Sequence, residues 1–349
     1  MEGTILMRGR TILLGFLVAL ILCLCAAFAA AADPACDPCG LSDAEILASP
    51  KPDVQQLYAD QKTLFDRHYM KVLDAVDIYD APNGSIVDHL DAGFTYATVK
   101  ATSGDWTEID DNRWVKSSEL QEVIPSTFAG VLLPSTPLTY PIGWILLNVV
   151  PSATPGAKPL AGTLAVLRYT VVNLYATVNV DGWDWYQIGV NQWVEQRKIA
   201  KVLPVERPAE VDTTKWVSVD LYEQVAIAYE NDTPVFATLV SSGLKDWPTE
   251  EGLFHVYVRY PRTLMQGANG KPDFYWLQDV PWTQYFDHDI ALHGTYWHDG
   301  FGYRHSHGCV NLSITDAQWL YNWASSEIDL SVPNDTGAAV YVYSSGTYQ

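Results

Sequence analysis

Positive charge is scarce in this chain of 349 residues: 21 Lys and Arg stand against 41 Asp and Glu, a formal net charge of −20. A surface of that sign repels phosphate backbones, so nucleic acid is not an expected partner. Charged residues make up only 18% of the chain and apolar ones 48%, which leaves no room for a large disordered share. Long hydrophobic runs are rare too. A single one, Ile12 to Ala32, follows Arg8 and Arg10 and ends in small residues before Asp33-Pro34. Residues 1–32 read as an export signal, or as an uncleaved membrane anchor, since a run of that length can span a bilayer. In both cases the body of the chain is expected to be exported, to the cell envelope or beyond.

Cysteine is scarcer still, at five. Cys23 and Cys25 sit inside the apolar run, which leaves Cys36, Cys39 and Cys309. Cys36-Asp-Pro-Cys39 is a CxxC outside any βαβ context, so a local disulfide is expected in an oxidising compartment. Cys309 is then the odd thiol. In an exported protein such a thiol is a liability unless it is buried or used.

At this length several domains are expected. Residues 33–70 read as a short helical lead-in: Ser42 with Glu45 offers a capping box, and Val54, Leu57, Tyr58, Leu64 and Phe65 recur at roughly helical spacing. From about Val72 the pattern turns to short Val-, Ile-, Thr-, Tyr- and Trp-rich runs broken by Gly, Pro, Asn and Asp, the mark of antiparallel strands. Residues 105–116 align without gaps on 184–195, with six of twelve positions identical, both tryptophans included. Each copy reads as a hairpin, the first with strands through Trp106 and Ile109 and through Trp114 and Val115. Both copies resemble the tail of bacterial SH3-like domains, placed at 71–125 and 126–208. That resemblance implies wall-peptide or glycan binding, although the tryptophans are expected mainly to fill small cores. Leu203-Pro204-Val205-Glu206-Arg207-Pro208 reads as a link to a last domain at 215–344.

Five of the eight histidines lie between 288 and 307. Ile290-Ala291-Leu292-His293-Gly294 reads as a buried strand with an imidazole at its end, and Ser306-His307-Gly308-Cys309 as a tight turn. Acyl transfer by a thiol needs a nucleophile, a base that takes and returns its proton, and amides for the oxyanion; these residues supply all three. A free thiol titrates at ~8.5, so a nearby imidazolium or converging amides are expected to lower that of Cys309. His305, His307 and Cys309 alternate, which leaves zinc binding as another reading, although nothing in the spacing demands it. Thr315 with Gln318 reads as a cap opening a helix that packs Trp319, Leu320 and Trp323. His288 and His298 read as surface or loop residues, and His255 as a strand histidine.

His293-Gly294-Thr295 followed by Ser306-His307-Gly308-Cys309-Val310-Asn311 resembles the motif of the YkuD-type L,D-transpeptidases. Trp216 to Ala228 is similar to that family's opening hairpin. Pro248 to Phe254 resembles its Thr-Pro-x-Gly-x-Phe turn, with the first two residues inverted. The resemblance implies a mainly β chain: two small SH3-like β-barrels, then a YkuD-like β-sandwich with a few short helices. It implies Cys309 as nucleophile and His293 as proton carrier, oriented by the Gly294 carbonyl. Amides near Gly308 and Cys309 would form the oxyanion hole, and Ser306, His307 and Asn311 would support the loop. The implied substrate is the peptidoglycan stem peptide, cross-linked 3→3 with loss of D-alanine, and the implied inhibitors are carbapenems; no cofactor or metal is called for. Hydrolysis of the same acyl-enzyme, or a non-catalytic wall-binding role, are the other readings.

Overall fold

The computed structural model describes residues 40–159, 162–268, 270–328 and 336–347. Residues 1–32, where an export signal or membrane anchor is expected, and Cys36 and Cys39 fall outside them. The fold is mainly β with a few short helices, as the sequence implied.

Two seven-stranded sheets form the centre of the molecule. One runs in the order Gln55–Gln56, Val131–Leu132, Thr233–Leu239, Val225–Glu230, Lys215–Asp220, Ala339–Tyr343 and Gly252–His255. The other runs Val310–Leu312, Ile290–Gly294, Tyr275–Asp287, Phe94–Thr98, Tyr69–Val72 and Leu120–Val123, with Val258–Gly267 paired to Tyr275–Asp287. Val217, Val219 and Phe236 of the first sheet pack against Phe286, Leu292 and Val310 of the second. On the first sheet's other face, Ile142, Trp144, Ala200 and Val202 cover Trp216, Val225, Ile227 and Tyr229. Burial on both faces explains why Val225-Ala226-Ile227-Ala228-Tyr229 is a continuous apolar run and not an alternating one.

The repeat persists in three dimensions. Trp106–Asp110 pairs with Arg113–Lys116, and Trp183–Gly189 with Gln192–Glu195. The aligned turn residues Asn112 and Asn191 both adopt positive φ, 56° and 53°, a region asparagine tolerates. Each hairpin carries a register shift at the aligned place, Glu108/Asp110 and Gln187/Gly189. Each also leads into a short 3-10 turn, Ser117–Glu119 or Gln196–Lys198, and a further strand. Trp106 and Trp193 are buried while Trp114 and Trp185 are half-buried, so core filling takes one tryptophan of each pair. The strands of each copy lie in separate open sheets.

Two expectations need correction. The lead-in is only partly helical: the Ser42–Glu45 box opens Asp43–Ala48 and a second helix spans Gln61–Leu64, but Gln55–Gln56 is a strand. Its pairing with Val131–Leu132 at the sheet edge overrides the helical spacing. The later helix, Ile314–Trp323, is capped by Ser313, whose Oγ accepts from the Asp316 N–H at 3.1 Å, and not by Thr315. Asp316 is thereby free to point inward, where its carboxylate accepts from Gly130 N–H at 2.8 Å and Thr238 Oγ1 at 2.6 Å.

Strands from the first copy belong to the second central sheet. Phe94–Thr98 pairs in parallel with Tyr275–Asp287, and Tyr69–Val72 pairs with Phe94–Thr98. Tyr69 stacks on Tyr296 at 3.9 Å, and Tyr96 meets the edges of Tyr296 and Trp297. Regions far apart in sequence thus share one sheet and one aromatic seam.

Candidate active site

Ile290–Gly294 runs antiparallel to Tyr275–Asp287 on one side and parallel to Val310–Leu312 on the other. The parallel register sets His293 beside Asn311 and Leu292 beside Val310, so the turn holding Cys309 ends one step from the strand holding His293. Both residues face a single cavity of about 680 Å³, with Ser306, His307 and Asn311 in its wall.

His293 is 2% exposed, and its Nδ1 lies 3.0 Å from the Gly294 carbonyl oxygen. A carbonyl only accepts, so Nδ1 carries the proton and Nε2 is the basic atom. Burial pushes the imidazole down to about 4, against the smaller upward pull of that bond. At neutral pH the ring is neutral. The Cys309 thiol lies 3.8 Å from the Asp289 carbonyl. Burial pushes it up to about 11; the Ala291 amide works the other way, and the Asp289 carboxylate adds to the rise. The expectation of a lowered thiol is therefore corrected. Without substrate, the site holds a neutral thiol and a neutral imidazole, because desolvation outweighs the amide.

The turn that holds Cys309 is tied down from three sides. Gly308 sits at φ 110°, where an added Cβ would come 2.5 Å from Ile290 Cδ1, so the position demands glycine. Its N–H donates to Ser306 Oγ at 3.1 Å, and that hydroxyl donates to the Cys309 carbonyl. The Gly308 amide is thus engaged within the turn, and Cys309 N–H is the remaining member of the expected oxyanion pair. Thr249 Oγ1 accepts from Gly243 N–H at 2.9 Å and donates to the Gly308 carbonyl at 2.6 Å. The inverted Pro248-Thr249 step therefore holds the turn, a role its sequence does not announce. Leu244 N–H reaches the Ser306 carbonyl at 2.9 Å, and the Gln224 side chain fixes Ser242 from behind through bonds of 2.7 and 2.8 Å.

His307 packs its ring against Trp247 at 4.2 Å and Tyr275 at 5.9 Å, so it shapes the wall. His298 is not an ordinary loop residue. Its ring stacks on His305 at 4.1 Å, its Nδ1 accepts from Gly300 N–H at 2.9 Å, and burial together with His305 pushes it down to about 2. A neutral ring that accepts at Nδ1 must carry its proton on Nε2. Nε2 lies 3.0 Å from Asn311 Nδ2; two donors cannot pair, so turning the Asn311 amide to present Oδ1 satisfies the contact and frees the –NH2 for another acceptor. His288 is exposed, and His255 lies on a strand beside Asp212 at 2.7 Å. His305, His307 and Cys309 face different neighbours, and among the described residues no three His, Cys, Asp or Glu side chains gather as a metal site.

Residues 214–342 match the family model of the L,D-transpeptidase catalytic domain, YkuD. The putative L,D-transpeptidase YciB of Bacillus subtilis (strain 168) is 26% identical over 114 residues, covering 30% of this chain and 59% of that protein. L,D-transpeptidase 2 of Mycobacterium tuberculosis (strain CDC 1551 / Oshkosh) is 31% identical over 108 residues, covering 29% and 26%. The chain thus spans less than two thirds of either relative. Among solved structures, an L,D-transpeptidase (Yku) from Stackebrandtia nassauensis is 29% identical, with 40% of this chain and 60% of that chain covered and a TM-score of 0.29. L,D-transpeptidase 3 from Mycobacterium tuberculosis, in complex with a faropenem-derived adduct, is 17% identical, with 52% and 72% covered and a TM-score of 0.32.

Proposed function

We propose that the YkuD L,D-transpeptidase catalytic domain at residues 214–342 works as a cysteine acyltransferase on peptidoglycan stems outside the cytoplasm. The observation that carries this reading is the placing of Cys309 and His293 on neighbouring segments around one cavity, with His293 held as the Nδ1–H tautomer by Gly294.

Cys309 Sγ attacks the carbonyl of the L,D amide that precedes the terminal D-alanine. As the S–C bond forms, the thiol proton passes to His293 Nε2 and the carbonyl oxygen becomes an oxyanion facing Cys309 N–H. Collapse breaks the C–N bond, and His293 returns the proton to the departing D-alanine amine. A thioester remains. An acceptor amine from a neighbouring stem attacks it, gives its proton to His293 and regenerates the thiol, leaving a 3→3 cross-link. Because both groups start neutral, proton transfer and attack occur together, and no resting ion pair is needed. Carbapenems enter the same scheme as acyl donors that strand the enzyme at the thioester stage. The two SH3-like copies at 71–125 and 126–208 add wall affinity.

The test is digestion of sacculi treated with the purified protein, followed by mass spectrometry. Dimers linked 3→3 and free D-alanine are expected. Trimmed stems without dimers would assign water as acceptor in place of an amine.

A further inference from the structure

The wall of the catalytic cavity is not made by the catalytic domain alone. Lys71, Gly93 and Phe94, from the first copy, line it together with Cys309 and His293. Their placing is fixed. Lys71 pairs with Tyr96, which pairs with Leu277, so the lysine stands in the same transverse row as a residue of the Tyr275–Asp287 strand. Phe94 N–H donates to the Phe274 carbonyl at 3.0 Å, and a Cβ at Gly93 would fall 2.5 Å from that oxygen.

Lys71 is the one Lys or Arg among the described residues of this wall, where Asp273 and Asp289 are the carboxylates. Among the described residues no hydrogen bond or ion pair engages its ammonium. In a chain of net charge −20, an unengaged cation in the catalytic cavity marks a place for an anion. We infer that the first copy supplies a substrate subsite, in which Lys71 binds a carboxylate of the donor stem. This rests on the transpeptidase reading and adds the substrate group that is read.

Reach selects the carboxylate. Tyr69–Val72 lies four strand positions from Val310–Leu312, about 19 Å at ~4.8 Å per spacing, before the lysine side chain reaches back toward the cavity. The terminal D-alanine carboxylate is one residue from the scissile carbonyl and stays close to Cys309. The second residue is joined through its side-chain carboxyl, so its free α-carboxylate hangs several bonds farther from the scissile carbonyl than the D-alanine carboxylate does, on the acyl side, and is the group assigned to Lys71.

The experiment uses the full chain as wild type, Lys71→Met and Lys71→Arg, with synthetic tetrapeptide donors that differ only in amidation of the second-residue, third-residue or terminal carboxylate. Lys71→Met should lower kcat/KM about tenfold on the free donor, the size of one charge-assisted bond, and Lys71→Arg should restore most of it. On the donor amidated at the second residue, Lys71→Met should match wild type; a match only on another amidated donor would overturn the assignment to the second residue. Equal losses on every donor, or none on any, would overturn the subsite altogether. If wild type turns over no stem at all, the transpeptidase reading falls and this inference with it; turnover without discrimination sinks the inference alone.

Discussion

In the proposed mechanism two side chains carry the chemistry, and desolvation favours the uncharged form of each. The pH behaviour follows. The thiol is raised to about 11, so it is protonated at pH 7, and iodoacetamide alkylation of Cys309 should climb steadily from pH 7 towards 11. A plateau already at neutral pH would reveal a resting thiolate–imidazolium pair and contradict the neutral-pair account. His293 is lowered to about 4, so the base is available above that value and lost below it. The acid limb of kcat/KM should therefore lie near 4, well under the ~6.5 of an unperturbed imidazole. At this scale the meeting of His293 and Cys309 at one cavity could be read from the sequence, because they sit in short contiguous motifs. The direction of the thiol shift was not legible. It depends on the packing around Sγ, which comes from strands far away in the chain.

The elements around the turn explain why the motif residues stand where they do. Thr249 bonds Gly243 N–H and the Gly308 carbonyl at once. Thr249→Val keeps the shape and removes both bonds; a loss of about 1–3 kcal/mol in stability is expected, together with a fall in kcat/KM as the turn loosens around Cys309. Unchanged kcat/KM in that variant would separate the turn from the chemistry. Asp316 at the start of Ile314–Trp323 is pushed up to about 6 by burial, against its bonds to Gly130 and Thr238. Its folded value exceeds the ordinary 3.8, so its protonated form favours folding below 3.8 and that contribution is lost as pH rises through 6. The stability of wild type minus that of Asp316→Asn should therefore decline between about pH 4 and 6, by up to ~3 kcal/mol, as read from urea melts at each pH. A flat difference would mean that Asp316 does not titrate there. Neither Thr249 nor His298 could be assigned from sequence. Thr249 stands in an inverted version of a familiar turn. His298 has the sequence context of any loop histidine, and only the folded chain closes Gly300, His305 and Asn311 around it.

On the scale of the whole molecule, the repeat and the catalytic region share sheets. Phe94–Thr98, Tyr69–Val72 and Leu120–Val123 extend the strand array that carries His293, and Trp297, whose ring lies 5.7 Å from His293, rests on Tyr96 and Phe94. Removing residues 40–125 should therefore expose a sheet edge and the aromatic seam, and yield an aggregating or inactive protein. A soluble 214–349 fragment with full turnover would show that the shared sheet is dispensable. The hairpins of the repeat could be read from sequence because their tryptophans and turn asparagines are local signals. The parallel pairing of Phe94–Thr98 with Tyr275–Asp287 joins segments about 180 residues apart and leaves no local signal to read. The most direct measurement of the central claim is intact-mass spectrometry of the full chain after brief exposure to a tetrapeptide stem. The expected result is an adduct on Cys309 with the mass of the stem less D-alanine, absent from Cys309→Ala. D-Alanine release by Cys309→Ala at the wild-type rate would contradict it.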